Sequence, residues 1–328
     1  MAYWFFGGGL VLLLFGSDAI VRGGVALSHA LKMSPLVIGL LVIGAGTTLP
    51  EFAVSLSAAQ SGAADIAIAN IAGSNILHVL LILGLAALLR PLPSSPKVVL
   101  RDGGAMVLAS VAVTLMASVG AISRFDGVAM LGAFALYLAA VFFSDWRRAT
   151  EHSVSCARTV RHLQNTAPSS ATAGLFLLAF GVVGLTVGAH FTVAGADVLA
   201  REFHLAPALV GATAVAFGAS LPELAVTLIA VARKQTHLAI GHLVSSNVFN
   251  VLGGLGLTAA LFPLPVHPAL LQDLFAMTLA SMLILPLLIS DWRLTRPRGA
   301  FLIIGYGAYL VFVAWRQGLI PPGLLPWA

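Results

Sequence analysis

Charged residues are scarce in this chain of 328 residues, where Asp, Glu, Lys and Arg together account for 9% of the sequence. An average globular domain is about 25% charged and about 45–50% apolar, whereas 59% of this chain is hydrophobic. A soluble fold of this length cannot hide so much apolar surface from water. The composition therefore excludes an ordinary soluble protein and predicts a protein that lies in lipid.

Cysteine is nearly absent as well, because Cys156 is the only one in the sequence. A single cysteine excludes a disulfide framework. The N-terminal segment lacks the basic residues and cleavage site of a signal peptide, so we interpret its apolar run as a retained first span. Although the net charge is +5, the basic residues lie in short loops between apolar runs, a pattern that sets membrane orientation and does not indicate nucleic-acid binding.

Apolar runs long enough to cross a bilayer recur along the chain, since a spanning helix needs about 20 mostly apolar residues. We predict an all-α membrane protein with ten transmembrane helices. The predicted spans cover residues 2–22, 34–59, 64–89, 101–121, 125–145, 171–200, 206–232, 237–262, 270–290 and 299–319. A polar stretch at residues 147–170 separates residues 1–146 from residues 171–328, and we interpret it as a linker between two five-helix halves.

Lys and Arg are distributed unevenly between the two sides of the predicted membrane. One side together with both termini holds only Arg124, Arg201 and Arg316, and the other side holds the remaining fourteen of the 17 basic residues. The fourteen are Arg22, Lys32, Arg90, Lys97, Arg101, Arg147, Arg148, Arg158, Arg161, Arg233, Lys234, Arg293, Arg296 and Arg298. By the positive-inside rule, the linker lies in the cytoplasm and both termini lie outside it.

An internal repeat relates the two halves without a gap. Residues 39–51 (GLLVIGAGTTLPE) resemble residues 211–223 (GATAVAFGASLPE) at an offset of 172 positions, which also aligns Ser74 with Ser246. The two copies begin five spans apart, and because five is odd the second copy enters the membrane from the opposite face. The sequence therefore predicts an inverted repeat, which in secondary transporters places a substrate site near the membrane midplane.

Two glutamates that the repeat aligns, Glu51 and Glu223, lie deep inside predicted spans. A carboxylate at that depth costs about 2.5–3.5 kcal/mol on insertion scales and indicates a functional site. Each glutamate follows a proline, Pro50 or Pro222, which we expect to kink its helix and to free a carbonyl one turn earlier. Carbonyl and carboxylate oxygens are the ligands that hard cations such as Ca²⁺ prefer.

Hydroxyl groups lie one turn before each glutamate, and the next span of each copy adds a polar stripe at positions i, i+4 and i+8, which share one helix face. The hydroxyls belong to Thr47 and Thr48 in the first copy and to Ser220 in the second, and the stripes consist of Asn70, Ser74 and His78 and of His242, Ser246 and Asn250. Two glutamates that face two polar stripes predict one central cation site. Interhelical hydrogen bonding is the alternative role for the Ser and Asn side chains.

At these motifs the chain resembles the cation/Ca²⁺ exchanger superfamily, and in particular the prokaryotic sodium/calcium exchangers. The family pattern GTSLPE followed by GSNIxN is similar to GTTLPE at 46–51 and GSNILH at 73–78, and the second copy reads GASLPE and SSNVFN. The resemblance implies exchange of Ca²⁺ for Na⁺ or H⁺ by alternating access in a prokaryotic inner membrane. It implies no cofactor, and it implies no partners beyond the lipid bilayer and inorganic cations.

The resemblance also assigns ligand roles by position. It implies that Glu51 and Glu223 are the central acidic ligands and that Gly44 and Ala216 offer backbone oxygens. The hydroxyl ligands that it implies are Thr47, Thr48, Ser74, Ser220 and Ser246, and the remaining ligand positions hold His78 and Asn250.

Three positions depart from the family pattern. His78 stands for the usual Asn, Asn250 for the Asp of many prokaryotic members, and Ala219 for a Thr. The pocket therefore offers two carboxylates, which balance one Ca²⁺ but do not balance three Na⁺. Because histidine changes charge near neutral pH, we hypothesise that protonation of His78 competes with cation binding. A neutral histidine that is hydrogen-bonded between helices is the alternative.

Two other functions fit parts of this pattern. One is an antiporter of a different cation with proton coupling, which the changes at His78, Ala219 and Asn250 leave open. The other is a passive cation channel, against which the inverted repeat with kinked helices argues. A membrane enzyme is not expected, because the sequence holds no HExxH motif and no catalytic triad at a common depth.

Overall fold

The computed structural model of the chain describes residues 2–31, 43–96, 98–146, 170–202, 218–316 and 318. Within these residues the protein is almost entirely helical. The helices are α1 (Ala2–Ala30), α2 (Gly44–Gln60), α3 (Ala64–Leu89), α4 (Gly104–Ala117, with a π-helical turn Val98–Gly103 before it), α5 (Arg124–Trp146), α6 (Ala171–Glu202), α7 (Leu221–Ala232), α8 (Thr236–Leu261), α9 (Pro268–Ile289) and α10 (Arg296–Arg316).

Eight of these helices are long and apolar enough to cross a membrane, and they coincide with eight of the ten predicted spans. The other two predicted spans, 34–59 and 206–232, lie partly outside the described residues, so the count of ten stays a prediction. Their described parts form α2 and the short apolar helix α7. The all-α membrane architecture is confirmed, whereas almost all of the predicted linker 147–170 lies outside the described residues.

The outer surface of the bundle suits lipid. Large apolar side chains such as Leu136, Phe180 and Ile304 are 58–73% exposed, which in a soluble protein would be costly. By contrast, α8 is buried along its length and α3 is largely buried. The two helices that carry the predicted polar stripes therefore form the centre of the bundle.

Helix α1 is longer than predicted, because it continues to Ala30 where we expected the span to end at residue 22. The residues beyond Arg22 include polar ones, which shortened the prediction, but the helix continues because it packs along α6. An ion pair between Asp18 of α1 and Arg233, just after α7, ties this end of α1 to the rest of the bundle.

Glycines bring α1 and α6 into close antiparallel contact. Gly9, Gly16 and Gly23 recur every seven residues along α1 and face the α6 backbone. A Cβ atom added at Gly16 would lie 2.9 Å from the backbone nitrogen of Leu185 and 3.0 Å from the carbonyl oxygen of Gly181. Small residues permit such backbone approach between helices in lipid.

Helices α3 and α8 each contain a π-helical stretch at matching positions of the repeat. The stretches are Leu77–Ile82 and Phe249–Leu255, whose first residues are 172 positions apart. A π-helical turn places an extra residue in the helix and re-aims the side chains around it, and such turns are frequent at functional sites. His78 and Asn250 each stand second in their stretch.

Two short antiparallel ribbons connect loops from the two parts of the chain. Strand β1 (Leu92–Pro93) pairs with β4 (Arg293–Leu294), and β2 (Ala121–Ile122) pairs with β3 (Leu264–Pro265). Adding 172 to the residue numbers takes β1 to β3 and β2 to β4. Each ribbon therefore pairs one strand from each copy, and the two ribbons are equivalent under the repeat. Each ribbon also joins two loops that were predicted to lie on the same side of the membrane.

Candidate ion-binding site

The two repeat-related glutamates lie in the centre of the bundle, on α2 and α7. Glu51 and Glu223 are both 0% exposed. Pro50 lies inside α2 as predicted. The prediction for Pro222 was wrong, because it lies in the first turn of α7, after a turn at Ser220, and does not kink a continuous helix there. Proline is tolerated at the first turn of a helix because the N–H groups there have no intrahelical acceptor.

A histidine joins the two carboxylates. One carboxylate oxygen from each of Glu51 and Glu223 and one ring nitrogen of His78 all lie within 4.8 Å of one another. The two carboxyl groups contact each other, the Thr47 hydroxyl contacts that of Glu223, and the His78 ring contacts the Asn247 side chain. Among the described residues, no Lys or Arg side chain pairs with either carboxylate. Buried polar groups are normally satisfied, and an unpaired buried carboxylate is especially costly. The arrangement is therefore one that a bound cation would stabilise.

The threonine hydroxyls before Glu51 are oriented by their own helix. The Thr47 hydroxyl donates to the carbonyl oxygen of Ile43 at 3.1 Å, and the Thr48 hydroxyl donates to that of Gly44 at 2.9 Å. Each hydroxyl uses its proton in this bond, so its oxygen lone pairs stay available to a cation. Gly44, a predicted backbone ligand, is buried, and its carbonyl oxygen is already an acceptor for Thr48.

The serines of the predicted site lie at the contact between the two copies. The Ser220 hydroxyl donates to the Ser74 hydroxyl across 3.1 Å, and both side chains are buried. The Ser246 hydroxyl is buried without a partner among the described residues. Ala219, which replaces a hydroxyl, is partly exposed, and the predicted ligand Ala216 lies outside the described residues.

An asparagine network, not predicted as part of the site, links α3 to α8. The Asn75 amide donates to the backbone oxygen of Asn247 at 3.2 Å, and the Asn250 amide donates to the side-chain oxygen of Asn75 at 3.1 Å. Asn75 and Asn247 are repeat equivalents, and their alignment at the 172-residue offset was the available signal. The Asn250 side-chain oxygen has no partner among the described residues, so it is available as the predicted ligand.

The two remaining members of the polar stripes act differently. Asn70 donates to the backbone oxygen of Glu51 at 3.2 Å and to the Ser55 hydroxyl at 3.0 Å, so it anchors α2 against α3. Its repeat equivalent His242 is 0% exposed, and its ring makes the corresponding contact with the backbone oxygen of Glu223. The structure thus brings Glu51, Glu223 and His78 together and places Ser74 against Ser220, whereas Ala216 lies outside the described residues.

One protein family and several known proteins are similar to this chain over most of its length. A model of the family described as sodium/calcium exchanger protein matches residues 1–143 and 173–315. The inner membrane protein YrbG of Escherichia coli (strain K12) is 32% identical over 317 residues, which cover 95% of this chain and 96% of that protein. The sodium/calcium exchanger MaX1 of Methanosarcina acetivorans is 30% identical over an alignment of 334 residues, with 92% and 95% covered.

Solved structures of the sodium-calcium exchanger NCX_Mj are also similar to this chain. The structure soaked without Na⁺ and Ca²⁺ superposes with a TM-score of 0.81 at 27% sequence identity and covers 95% of this chain and 98% of its own. The structure soaked with 2.5 mM Na⁺ and 0.1 mM Ca²⁺ superposes with a TM-score of 0.80 at 28% identity, with 94% and 97% covered. The likeness therefore extends over nearly the whole chain.

Proposed function

We infer that this chain, which belongs to the sodium/calcium exchanger protein family, exchanges Ca²⁺ for Na⁺ or H⁺ across a prokaryotic inner membrane. Membership of this family makes it a cation antiporter in a membrane and not an enzyme, and the transported ions are its substrates, with no cofactor. The identity of the exchanged ions and of the ligands is the proposal. Alternating access at a site around Glu51 and Glu223 is the proposed mechanism.

The observation that carries this proposal is the buried group of Glu51, Glu223 and His78. Two ionised carboxylates without a basic partner are far more stable with a cation between them than alone in a low-dielectric interior. One divalent cation balances their charge, and so do two monovalent cations or two protons. The two-carboxylate site therefore favours an exchange of two monovalent ions for one divalent ion, in place of three Na⁺.

The remaining ligands follow from the positions of their oxygens. Thr47, Thr48, Ser74, Ser220 and Ser246 would supply hydroxyls, Asn250 its side-chain oxygen, and Gly44 and Ala216 backbone oxygens. Ca²⁺ takes six to eight oxygen ligands at about 2.3–2.6 Å, which such a set can provide. Hydroxyls that are already oriented by their own helix, as on Thr47 and Thr48, lose little conformational freedom when a cation binds.

We also propose that residues 1–146 and 171–328 form two inverted halves joined by a cytoplasmic linker at 147–170. The exchanged pairing of the two ribbons and the contact between the equivalent residues Asn75 and Asn247 support this relation. A contact between Asp65, in the first turn of α3, and His267, just before α9, also connects two helix ends that are predicted to lie outside the cytoplasm.

The decisive experiment is ⁴⁵Ca²⁺ uptake into proteoliposomes under an outward gradient of Na⁺ or of H⁺. We expect uptake with at least one of the two gradients and none in Glu51→Gln or Glu223→Gln. The control Asp65→Asn removes a carboxylate whose side chain is 54% exposed and should transport normally. Transport by both glutamine variants would refute the site.

Two alternatives are separated by the same assay. A passive channel would carry Ca²⁺ without any counter-ion gradient. Uptake into vesicles that have no Na⁺ or H⁺ gradient would therefore overturn the antiporter mechanism. The pH sensitivity expected from His78 stays a prediction. It is tested by the pH profile of His78→Asn, and an unchanged profile would contradict it.

A further inference from the structure

An imidazole among the central ligands distinguishes this site from an all-oxygen calcium site. His78 is 0% exposed, and its ring contacts the Asn247 side chain, which can occupy at most one of the two ring nitrogens. One ring nitrogen lies within 4.8 Å of a carboxylate oxygen of both Glu51 and Glu223. A metal-bound histidine normally donates its other N–H to a polar group of this kind.

The ligand chemistry decides which cations benefit from this nitrogen. Ca²⁺ is a hard cation that takes oxygen ligands, so an imidazole offers it little. Divalent first-row transition metals such as Zn²⁺ and Fe²⁺ bind imidazole well and accept carboxylate oxygens beside it. A neutral imidazole also adds no charge, so the two glutamates still balance one divalent ion.

The geometry is compatible with such an ion. Metal–ligand bonds of Zn²⁺ to nitrogen and oxygen are about 2.0–2.2 Å and tetrahedral, so neighbouring ligand atoms lie roughly 3.3–3.6 Å apart. The three ligand atoms lie within 4.8 Å of one another, so a bound ion would draw them together by about 1.5 Å at most. The side-chain oxygens of Asn250 and Ser246 on α8 are buried without a hydrogen-bond partner among the described residues, and we take them as candidates for the remaining ligands.

We propose that the site formed by Glu51, Glu223 and His78 binds a divalent first-row transition-metal ion, with His78 as a nitrogen ligand, more tightly than it binds Ca²⁺. The substrate class of the exchanger would then include ions such as Zn²⁺ and Fe²⁺. This inference rests on the proposed antiport function, because it assigns the substrate of the same site.

The test is a calorimetric titration that measures the binding of Zn²⁺, Mn²⁺ and Ca²⁺ to the purified full-length protein in detergent. In the wild type we expect Zn²⁺ to displace Ca²⁺. In His78→Asn, which restores the usual family residue, we expect Zn²⁺ binding to weaken at least about 10-fold, since even loss of an outer-shell partner costs 10–100-fold. The ratio of Zn²⁺ affinity to Ca²⁺ affinity should therefore fall in that variant, and circular dichroism against the wild type checks that it is folded.

Surface histidines can bind Zn²⁺ adventitiously, so a matched control is needed. His267→Asn removes an imidazole whose side chain is 69% exposed and should leave the high-affinity Zn²⁺ site intact. X-ray absorption at the zinc edge of protein loaded with one equivalent should show imidazole scattering in the wild type and lose it in His78→Asn.

The outcomes separate this inference from the proposed function. If Zn²⁺ binds His78→Asn as tightly as the wild type, or if Ca²⁺ outcompetes Zn²⁺ in the wild type, the metal preference is wrong while antiport at the glutamates stands. If Glu51→Gln and Glu223→Gln still transport and still bind cations, the site itself is wrong. Loss of binding in both glutamine variants together with a His78-dependent preference for Zn²⁺ supports both.

Discussion

At the scale of single residues, the central feature is a pair of buried carboxylates without a basic partner. Glu51 and Glu223 are each fully buried and contact each other, and among the described residues no Lys or Arg side chain neutralises them. Such groups destabilise the protein unless they are neutralised by protons or by a bound cation. Stability should therefore depend on the cation that the site holds.

This dependence gives a prediction for thermal stability. Ca²⁺ or Zn²⁺ at 100 times its dissociation constant should stabilise the wild type by about 2.7 kcal/mol, because a ligand that binds only the folded state stabilises it. Glu51→Gln should lose this cation-dependent shift, and without cations it should be at least as stable as the wild type. A thermal unfolding series in detergent measures both, with Asp65→Asn as the control. A full cation shift in Glu51→Gln would contradict the prediction.

A second residue-scale prediction concerns the asparagine network. Asn75→Ala removes the partner of the Asn250 amide and of the Asn247 carbonyl oxygen, and it should cost about 1–3 kcal/mol for each group left unsatisfied. Thermal unfolding of Asn75→Ala, Asn250→Ala and the double variant forms a mutant cycle. We expect the two changes to be non-additive because the residues are in contact. Additive effects would show that the bond contributes nothing.

At the scale of helices, close packing of α1 on α6 depends on glycine. The predicted cost of an added side chain follows from the backbone distances at Gly16, where a Cβ atom would meet two α6 backbone atoms at 2.9–3.0 Å. Overpacking of this kind typically costs about 1–3 kcal/mol. Gly7 lies on the same helix, and a Cβ atom added there would meet nothing within 4 Å.

We therefore expect Gly16→Ala to lower the unfolding temperature in detergent and to reduce transport. Gly7→Ala should be neutral or slightly stabilising, because alanine favours helix more than glycine does. Unfolding temperatures and ⁴⁵Ca²⁺ uptake of the two variants provide the comparison. Equal unfolding temperatures and equal uptake in the two variants would show that α1 and α6 can move apart without a loss of stability.

The π-helical stretches in α3 and α8 explain a difference between pattern and structure. The i, i+4, i+8 spacing predicts that Asn70, Ser74 and His78 share one face of a regular α-helix. In the structure the helix changes to π geometry at Leu77, so His78 leaves the regular spacing while it stays buried. No propensity rule marks these turns, because they are stabilised by packing in the bundle centre and not by local sequence.

At the scale of the whole molecule, the proposed inverted relation of the two halves makes a prediction about sidedness. Cys156 is the only cysteine and lies in the predicted cytoplasmic linker. A membrane-impermeant maleimide should therefore label inverted membrane vesicles and leave intact spheroplasts unlabelled. The variant Cys156→Ser with Ser118→Cys moves the thiol to an exposed residue just after α4, at the end of a span that is predicted to face the opposite side, and should reverse the pattern. The same labelling pattern in both proteins would refute the predicted topology.

Much of the architecture was predictable from sequence, and the site was predictable in part. The eight confirmed spans follow from long apolar runs, and the glutamates stand out because a carboxylate is costly inside such a run. The first helix was predicted too short, and Pro222 was predicted to kink a helix whose first turn it occupies. In α1, packing against α6 extends the helix beyond the residue where the apolar run ends. At Pro222 a new helix begins, so the proline lies in its first turn and does not bend it.

The sequence by itself determined the lipid environment, the register of the repeat at 172 residues and the residue types of the site, because composition, periodicity and internal identity are properties of the linear chain. Only the tertiary structure decided that Asn75 reaches its own equivalent Asn247 and that glycines of α1 face the backbone of α6. It also decided that a ring nitrogen of His78 lies beside both carboxylates. Such contacts join residues far apart in the chain, and no local pattern encodes their distances, which arise when the helices pack together.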